Sequence, residues 1–145
     1  MRLAFYQPDI PQNLGAAVRL AACLDVELHV IEPCGFPLDM KRLKQSALDY
    51  FEHCTLVRHA SWDAFLAQTT GRLILFSTKA TQDYTQFQFH PDDTLLMGRE
   101  SAGVPEEVVK AVDTRVKIPL NPAARSLNVV MAAAIALGEG LRQTR

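Results

Sequence analysis

Short β-prone runs recur along the chain, and each is followed by a helical or irregular stretch before the next run begins. Leu3 to Tyr6, Val26 to Ile31, Thr55 to Val57, Arg72 to Ser77, Thr94 to Met97 and Val116 to Leu120 read as strands. Between them, Gln12 to Asp25 carries Leu14, Ala17, Val18, Ala21 and Leu24 on one helical stripe. Asp39 to Lys44 is basic and amphipathic, and Ser61 caps a helix whose apolar face holds Trp62, Phe65 and Leu66. Pro105 suits a first helical position with Glu106 and Glu107 behind it, and Ser126 to Arg142 reads as a long closing helix. Strands that alternate with helices predict an α/β fold, a mostly parallel sheet with helices on both faces.

At 145 residues the chain fits one domain, residues 1–145, large enough for a core without disulfides or metals. Cys23, Cys34 and Cys54 form no Cys-x-x-Cys pair, and His29, His53, His59 and His90 lack metal-ligand spacing, so no metal is expected. Cys54 follows His53 directly, but sequence neighbours point in different directions, so the pair is not read as a nucleophile and its base. The longest apolar run, Val129 to Leu137, is about half a membrane crossing. The N-terminal run turns polar at Gln7, before a signal-peptide core could form. A cytoplasmic protein with no membrane partner is the expectation. Fifteen Lys+Arg against sixteen Asp+Glu give a net charge of −1, so any nucleic-acid surface must come from local clustering or from assembly.

Ligands of parallel sheets collect at the carboxyl ends of the strands. That rule selects the junctions after Tyr6, Phe76, Met97 and Leu120. The first leads to Asn13 and Arg19, the latter off the apolar stripe on the face it shares with Gly15. The third is Gly98-Arg99-Glu100-Ser101-Ala102-Gly103, where two glycines allow close backbone approach around a carboxylate. It is neither a Walker loop nor a Gly-x-Gly-x-x-Gly fingerprint. The last is Ile118-Pro119-Leu120-Asn121-Pro122, running on to Ser126-Leu127-Asn128. Taken singly, each has an ordinary structural reading: a solvated helix arginine, a turn with an exposed Glu, a pair of helix caps.

Together they say more. Asn13 with Arg19, then Gly98-Arg99-Glu100-x-x-Gly103, then Ile118-Pro119 with Ser126-Leu127-Asn128 resembles the three ordered motifs of the SpoU branch of the SPOUT RNA methyltransferases. The resemblance takes in Gly35-Phe36-Pro37-Leu38-Asp39, Leu48-Asp49-Tyr50 and Ser77-Thr78-Lys79, and is closest to the tRNA wobble-position 2′-O-methyltransferases. The chain departs from that pattern in three places. Asn128 is followed by Val129-Val130-Met131 rather than Leu-Ser-Asn, Arg99 and Ser101 flank Glu100, and Lys79 is followed by Ala80.

The resemblance implies a C-terminal trefoil knot from about Leu73 onward, where bottom-up rules favour an unknotted sheet. It implies bent S-adenosylmethionine held in the knot by Phe76, Gly98, Glu100, Gly103, Ile118, Leu120, Ser126 and Leu127. It makes Arg19 the catalytic arginine, held in place by Asn13, Glu100 and Asn128. It implies a homodimer whose partner is the anticodon stem-loop of tRNA, reached through basic clusters such as Lys41-Arg42-Lys44. A 2′-O-methyltransferase of another tRNA or rRNA site, a non-catalytic RNA-binding protein and a flavodoxin-like protein are the alternatives. The last would need a phosphate loop after the first strand, and Gln7-Pro8-Asp9-Ile10-Pro11 makes a poor one.

Overall fold

The computed structural model describes residues 1–145. In chain order the elements are β1 (Arg2–Tyr6), α1 (Pro11–Leu24), β2 (Glu27–Ile31), α2 (Met40–Ala47), a 3₁₀ helix (Leu48–His53), β3 (Leu56–His59), α3 (Trp62–Gln68) and β4 (Leu73–Phe76). There follow β5 (Gln82–Asp83), a 3₁₀ turn (Tyr84–Gln86), β6 (Thr94–Met97), α4 (Glu106–Ala111), β7 (Thr114–Lys117) and α5 (Val129–Thr144). The strands form one seven-stranded sheet, β3-β2-β1-β6-β4-β7-β5, in which every pairing is parallel.

Successive residues of a strand face opposite sides, and the two cores follow that alternation. Leu3 and Phe5 of β1, with Ile74, Phe76, Leu95 and Met97, pack under α1, α2 and α5 through Leu14, Val18, Leu43, Ala133 and Leu137. Ala4 and Tyr6 turn the other way, with Leu73, Leu75 and Leu96, to meet Trp62 and Phe65 of α3 and Val108 of α4. Both faces are therefore apolar, which is why the central strands read as continuous apolar runs. Gly15 seats α1 on α2, where a Cβ would lie 2.7 Å from Ser46 Oγ. The helix face that Arg19 shares with Gly15 is thus covered at Gly15 by α2.

Three expectations shift. The sixth expected strand, Val116 to Leu120, is in fact β7, Thr114–Lys117, because pairing with β4 runs from Thr114 to Val116 and the chain leaves the sheet before Pro119. The closing helix starts at Val129 rather than Ser126, since the Asn128 side-chain Oδ1 accepts from Val130 and Met131 N–H and caps it there. Pro105 is the N-cap residue of α4 rather than its first helical position.

The chain winds from β1 outward through β2 to β3, then crosses to the other half of the sheet for β4. Strand β6 later inserts between β1 and β4. The four adjacent strands β1, β6, β4 and β7 therefore bring four successive loops to one carboxyl edge, the place where this topology collects ligands.

Candidate active site

A cavity of about 740 Å³ opens at that edge. It is lined by Phe76 at the end of β4, by Gly98, Glu100 and Gly103 after β6, and by Ile118, Leu120, Ser126 and Leu127 between β7 and α5. Asn13 and Asn128 line it as well, so the structure gathers sequence-selected residues from all four junctions into one site. Arg19 does not line it.

A relay of hydrogen bonds joins these loops. Asn128 Nδ2 donates to Asn13 Oδ1 at 3.0 Å, and Asn13 Nδ2 donates to Glu100 Oε1 at 3.0 Å. The other Glu100 oxygen accepts from the Asp9 backbone N–H at 2.9 Å. Since Asn128 also caps α5, one chain of side chains ties the start of α1, the loop after β6 and the start of the last helix. Amides serve well here because each can donate and accept at once.

The loop after β6 is shaped by its own backbone. Arg99 and Gly103 exchange N–H···O bonds of 2.8 and 2.9 Å, which closes a tight turn. A Cβ on Gly98 would stand 2.9 Å from both the carbonyl carbon and the Cα of Gly103. Gly98 therefore serves loop closure, not only ligand approach. Gly103 has φ +64 with open space around it, so there a glycine is favoured by conformation alone.

Sequence reasoning passed over the clasp that holds this loop. Arg99 Nε and Nη2 both donate to Asp9 Oδ1, and Ser101 donates to Asp9 Oδ2 through its N–H and its hydroxyl. Those donors hold the Asp9 carboxyl down at about 2, with Arg99 the largest cause and Ser101 the next. The sequence signal is thin: Arg99 and Ser101 stand where the family pattern differs, and their partner lies about ninety positions earlier. Lys79, Glu106 and Arg115 also line the cavity.

Arg19 stands apart from the site residues expected to hold it. Six positions separate it from Asn13 on α1, about 120° around the helix and about 9 Å along it. Its guanidinium carbon lies 4.7 Å from the centroid of the Tyr50 ring. Asn13, Glu100 and Asn128 brace one another instead.

The cysteines and histidines take ordinary places. Burial pushes the Cys34 and Cys54 thiols up to about 11, so both stay protonated and poorly nucleophilic. His29 and His59, distant in sequence, are brought together, with His29 Nδ1 and His59 Nε2 sharing a hydrogen bond of 2.8 Å away from the cavity. No helix is long and apolar enough to cross a membrane.

Comparison with known proteins finds relatives along nearly the whole chain. A tRNA (cytidine(34)-2′-O)-methyltransferase from Beijerinckia indica is 58% identical over 97% of this chain and 90% of its own length. A structure solved to study the 2-OH methylation of C/U34 on tRNA superposes with a TM-score of 0.90 at 42% identity, covering 98% of this chain and 94% of its own. The SpoU methyltransferase AviRb from Streptomyces viridochromogenes, in complex with the cofactor AdoMet, gives 0.86 at 28% identity, covering 99% of this chain and 60% of its own. The flavodoxin-like alternative falls away, because the segment after β1 is engaged by Arg99 and Glu100 and the relatives are methyltransferases. Residues 1–138 match the SpoU rRNA Methylase family, and the chain belongs to it.

Proposed function

We propose that this chain is an S-adenosylmethionine-dependent tRNA methyltransferase. It acts on the ribose 2′-hydroxyl of the wobble nucleotide, cytidine or modified uridine, in the anticodon loop. The observation that carries this is the single cavity in which residues of all three motifs meet, Asn13 standing for the first without Arg19, bound together by Asn13, Glu100 and Asn128. The relatives that match nearly the whole chain supply the substrate class.

The cavity suits the cofactor. Its volume lies in the range of small-molecule sites, and its walls mix apolar side chains with backbone and hydroxyl groups. Phe76, Ile118, Leu120 and Leu127 offer an apolar slot for a base. The turn between Gly98 and Gly103 brings backbone to close range, and Ser126 adds a hydroxyl to the lining. When bound, S-adenosylmethionine supplies an electrophilic methyl group on a sulfonium that leaves without metal assistance.

The chain's own task is to place a ribose hydroxyl in line with that methyl and to ease loss of a poorly acidic proton. A guanidinium offers donors and no acceptor, so Arg19 binds the neighbouring phosphate and stabilises the developing alkoxide rather than acting as a base. Both Glu100 oxygens already accept hydrogen bonds, which makes it a brace for the loop.

The homodimer belongs to the same reading. Exposed apolar side chains stand at the mouth of the site and on the outer side of α5: Ile10 at 41%, Leu127 at 38%, Met131 at 63% and Ile135 at 38%. A second copy covers them, and Arg19, which lies outside its own chain's cavity, then serves the partner's. The trefoil knot is part of the proposal too, from about residue 73 onward within one methyltransferase domain of residues 1–145. The return of the chain from β7 to an α5 packed on α1 and β6 supports it. The setting is the cytoplasm, where tRNA is.

The test is direct. Purified protein, S-adenosylmethionine and unmodified tRNA transcripts should give ribose methylation at the wobble nucleotide alone. Methylation at another tRNA position or in rRNA would redirect the substrate. Calorimetric binding of FMN rather than S-adenosylmethionine would overturn the assignment.

A further inference from the structure

Arg19 makes no ion pair and is held by an aromatic face, whereas Arg99 is held by Asp9, Arg58 by Glu32, and Arg72 by Asp93 together with the Phe87 ring. The difference has a chemical consequence. A carboxylate partner occupies the N–H edge of a guanidinium, the edge that would otherwise grip a phosphate or an oxyanion. An aromatic ring attracts the same cation through its flat face and leaves the N–H edge open.

The ring is Tyr50, in the 3₁₀ helix that docks on α1. The turn that delivers it is costly. Leu48, which joins α2 to this helix, has φ +53 and ψ −143, a conformation that a residue with a Cβ rarely adopts. Leu48 is also 66% exposed, so packing of its own side chain does not compensate. What the turn achieves is the change of direction that brings Tyr50 against Arg19. Lys44 lies over Phe51 in the same way, at 5.2 Å, so two consecutive rings of this helix each meet a cation.

We propose that Tyr50 is a positioning residue for methyl transfer. Its ring fixes the Arg19 guanidinium by the face and leaves its donors free for the RNA backbone and the reacting oxygen. This rests on the reading of Arg19 as the catalytic arginine.

Single-turnover methylation of tRNA at saturating S-adenosylmethionine tests it, with Tyr50→Leu, Tyr50→Phe, Arg19→Ala and the double variant Arg19→Ala/Tyr50→Leu. Removing the ring should slow the step by about tenfold, the scale of one partly desolvated cation–π contact. Tyr50→Phe, which keeps the face, should recover the rate to within about threefold. In the Arg19→Ala background the Leu substitution should cost nothing more, because there is no guanidinium left to place. Cofactor affinity and melting temperature should stay at wild-type values in both Tyr50 variants.

An unchanged rate in Tyr50→Leu overturns the proposal. So does an equal loss on top of Arg19→Ala, or a Tyr50→Phe variant as slow as Tyr50→Leu. Should Tyr50→Leu fail to fold, Tyr50→Phe and Tyr50→Trp, which both retain a ring face, carry the same comparison; a large loss in both sinks it. A wild-type rate in Arg19→Ala would instead overturn the catalytic reading of Arg19 on which the proposal stands.

Discussion

Gly98 and Gly103 bound the same turn but for different reasons, and substitution separates them. Alanine at Gly98 places a methyl 2.9 Å from backbone atoms that cannot swing aside, so the turn must open. We expect Gly98→Ala to weaken S-adenosylmethionine binding at least tenfold by calorimetry, about 1.4 kcal/mol. Gly103→Ala meets no atom and carries only the strain of a left-handed residue, about 1–2 kcal/mol of stability, with a smaller effect on affinity. Arg19→Ala should do the reverse of Gly98→Ala. Affinity for the cofactor stays, while single-turnover transfer falls about a hundredfold or more, near 3 kcal/mol, as expected for loss of one charged transition-state contact. Arg19→Lys should rescue poorly, since an ammonium lacks the planar fork. Asn13, Glu100 and Asn128 were legible in the sequence only together, through the ordered motifs they belong to, since each alone reads as a turn or cap residue. Asp9 was not, because its partner lies on a different strand's loop and nothing local marks the pair.

The elements that proved legible are those whose signal is local. Leu73–Phe76 and Thr94–Met97 are buried on both faces, and their unbroken apolar runs announce that. Strand β5, two residues long, carries no such signal and exists because Gln82 and Asp83 pair with Val116 and Lys117. The displaced end of β7 has the opposite cause: Ile118 and Leu120 are apolar because they line the cavity, so the hydrophobic run outlasts the ladder. The late start of α5 is set by Asn128, whose side chain takes two helix N–H groups and at the same time reaches Asn13. Asn128→Ala should therefore lower both stability and activity. The lost cap is worth about 1–2 kcal/mol, a drop of several degrees in melting temperature for a chain this size. Asn128→Asp keeps the cap acceptor but cannot donate to Asn13. It should restore most of the melting temperature without restoring the rate, which circular dichroism and methylation assays on one preparation would show.

Two properties belong to the molecule as a whole, and the first is its response to pH. The His29 and His59 rings lie edge to edge in nearly one plane, hydrogen-bonded to each other and met by the Phe65 ring, and burial lowers the affinity of both for a second proton. Glu27, 2.6 Å from His29 Nε2, partly opposes this at His29. His59 Nδ1 is buried without a partner, so a charged ring there would have no acceptor. The unfolded chain takes up protons at the ordinary histidine value of 6.5, the folded one only at lower pH. Stability should hold above that value and fall as pH drops through it, by up to about 1.4 kcal/mol per unit for each ring, as denaturant titrations from pH 7.5 to 5 would show. His59→Phe should flatten the slope. The second is the proposed dimer, the arrangement that gives the separation of Arg19 from its own cavity a purpose. If the partner's cavity uses Arg19, two impaired variants can repair each other, assayed at a cofactor concentration that fills the wild-type cavity but not the Gly98→Ala one. Arg19→Ala keeps an intact cavity, and Gly98→Ala keeps an intact Arg19. A chain of each kind forms one working site and one doubly defective site. After unfolding and refolding together in equal amounts, half of the dimers are mixed, so about a quarter of the wild-type rate should return. An arginine serving its own chain gives no recovery from any mixture, and a monomeric protein by light scattering would end the dimer reading outright.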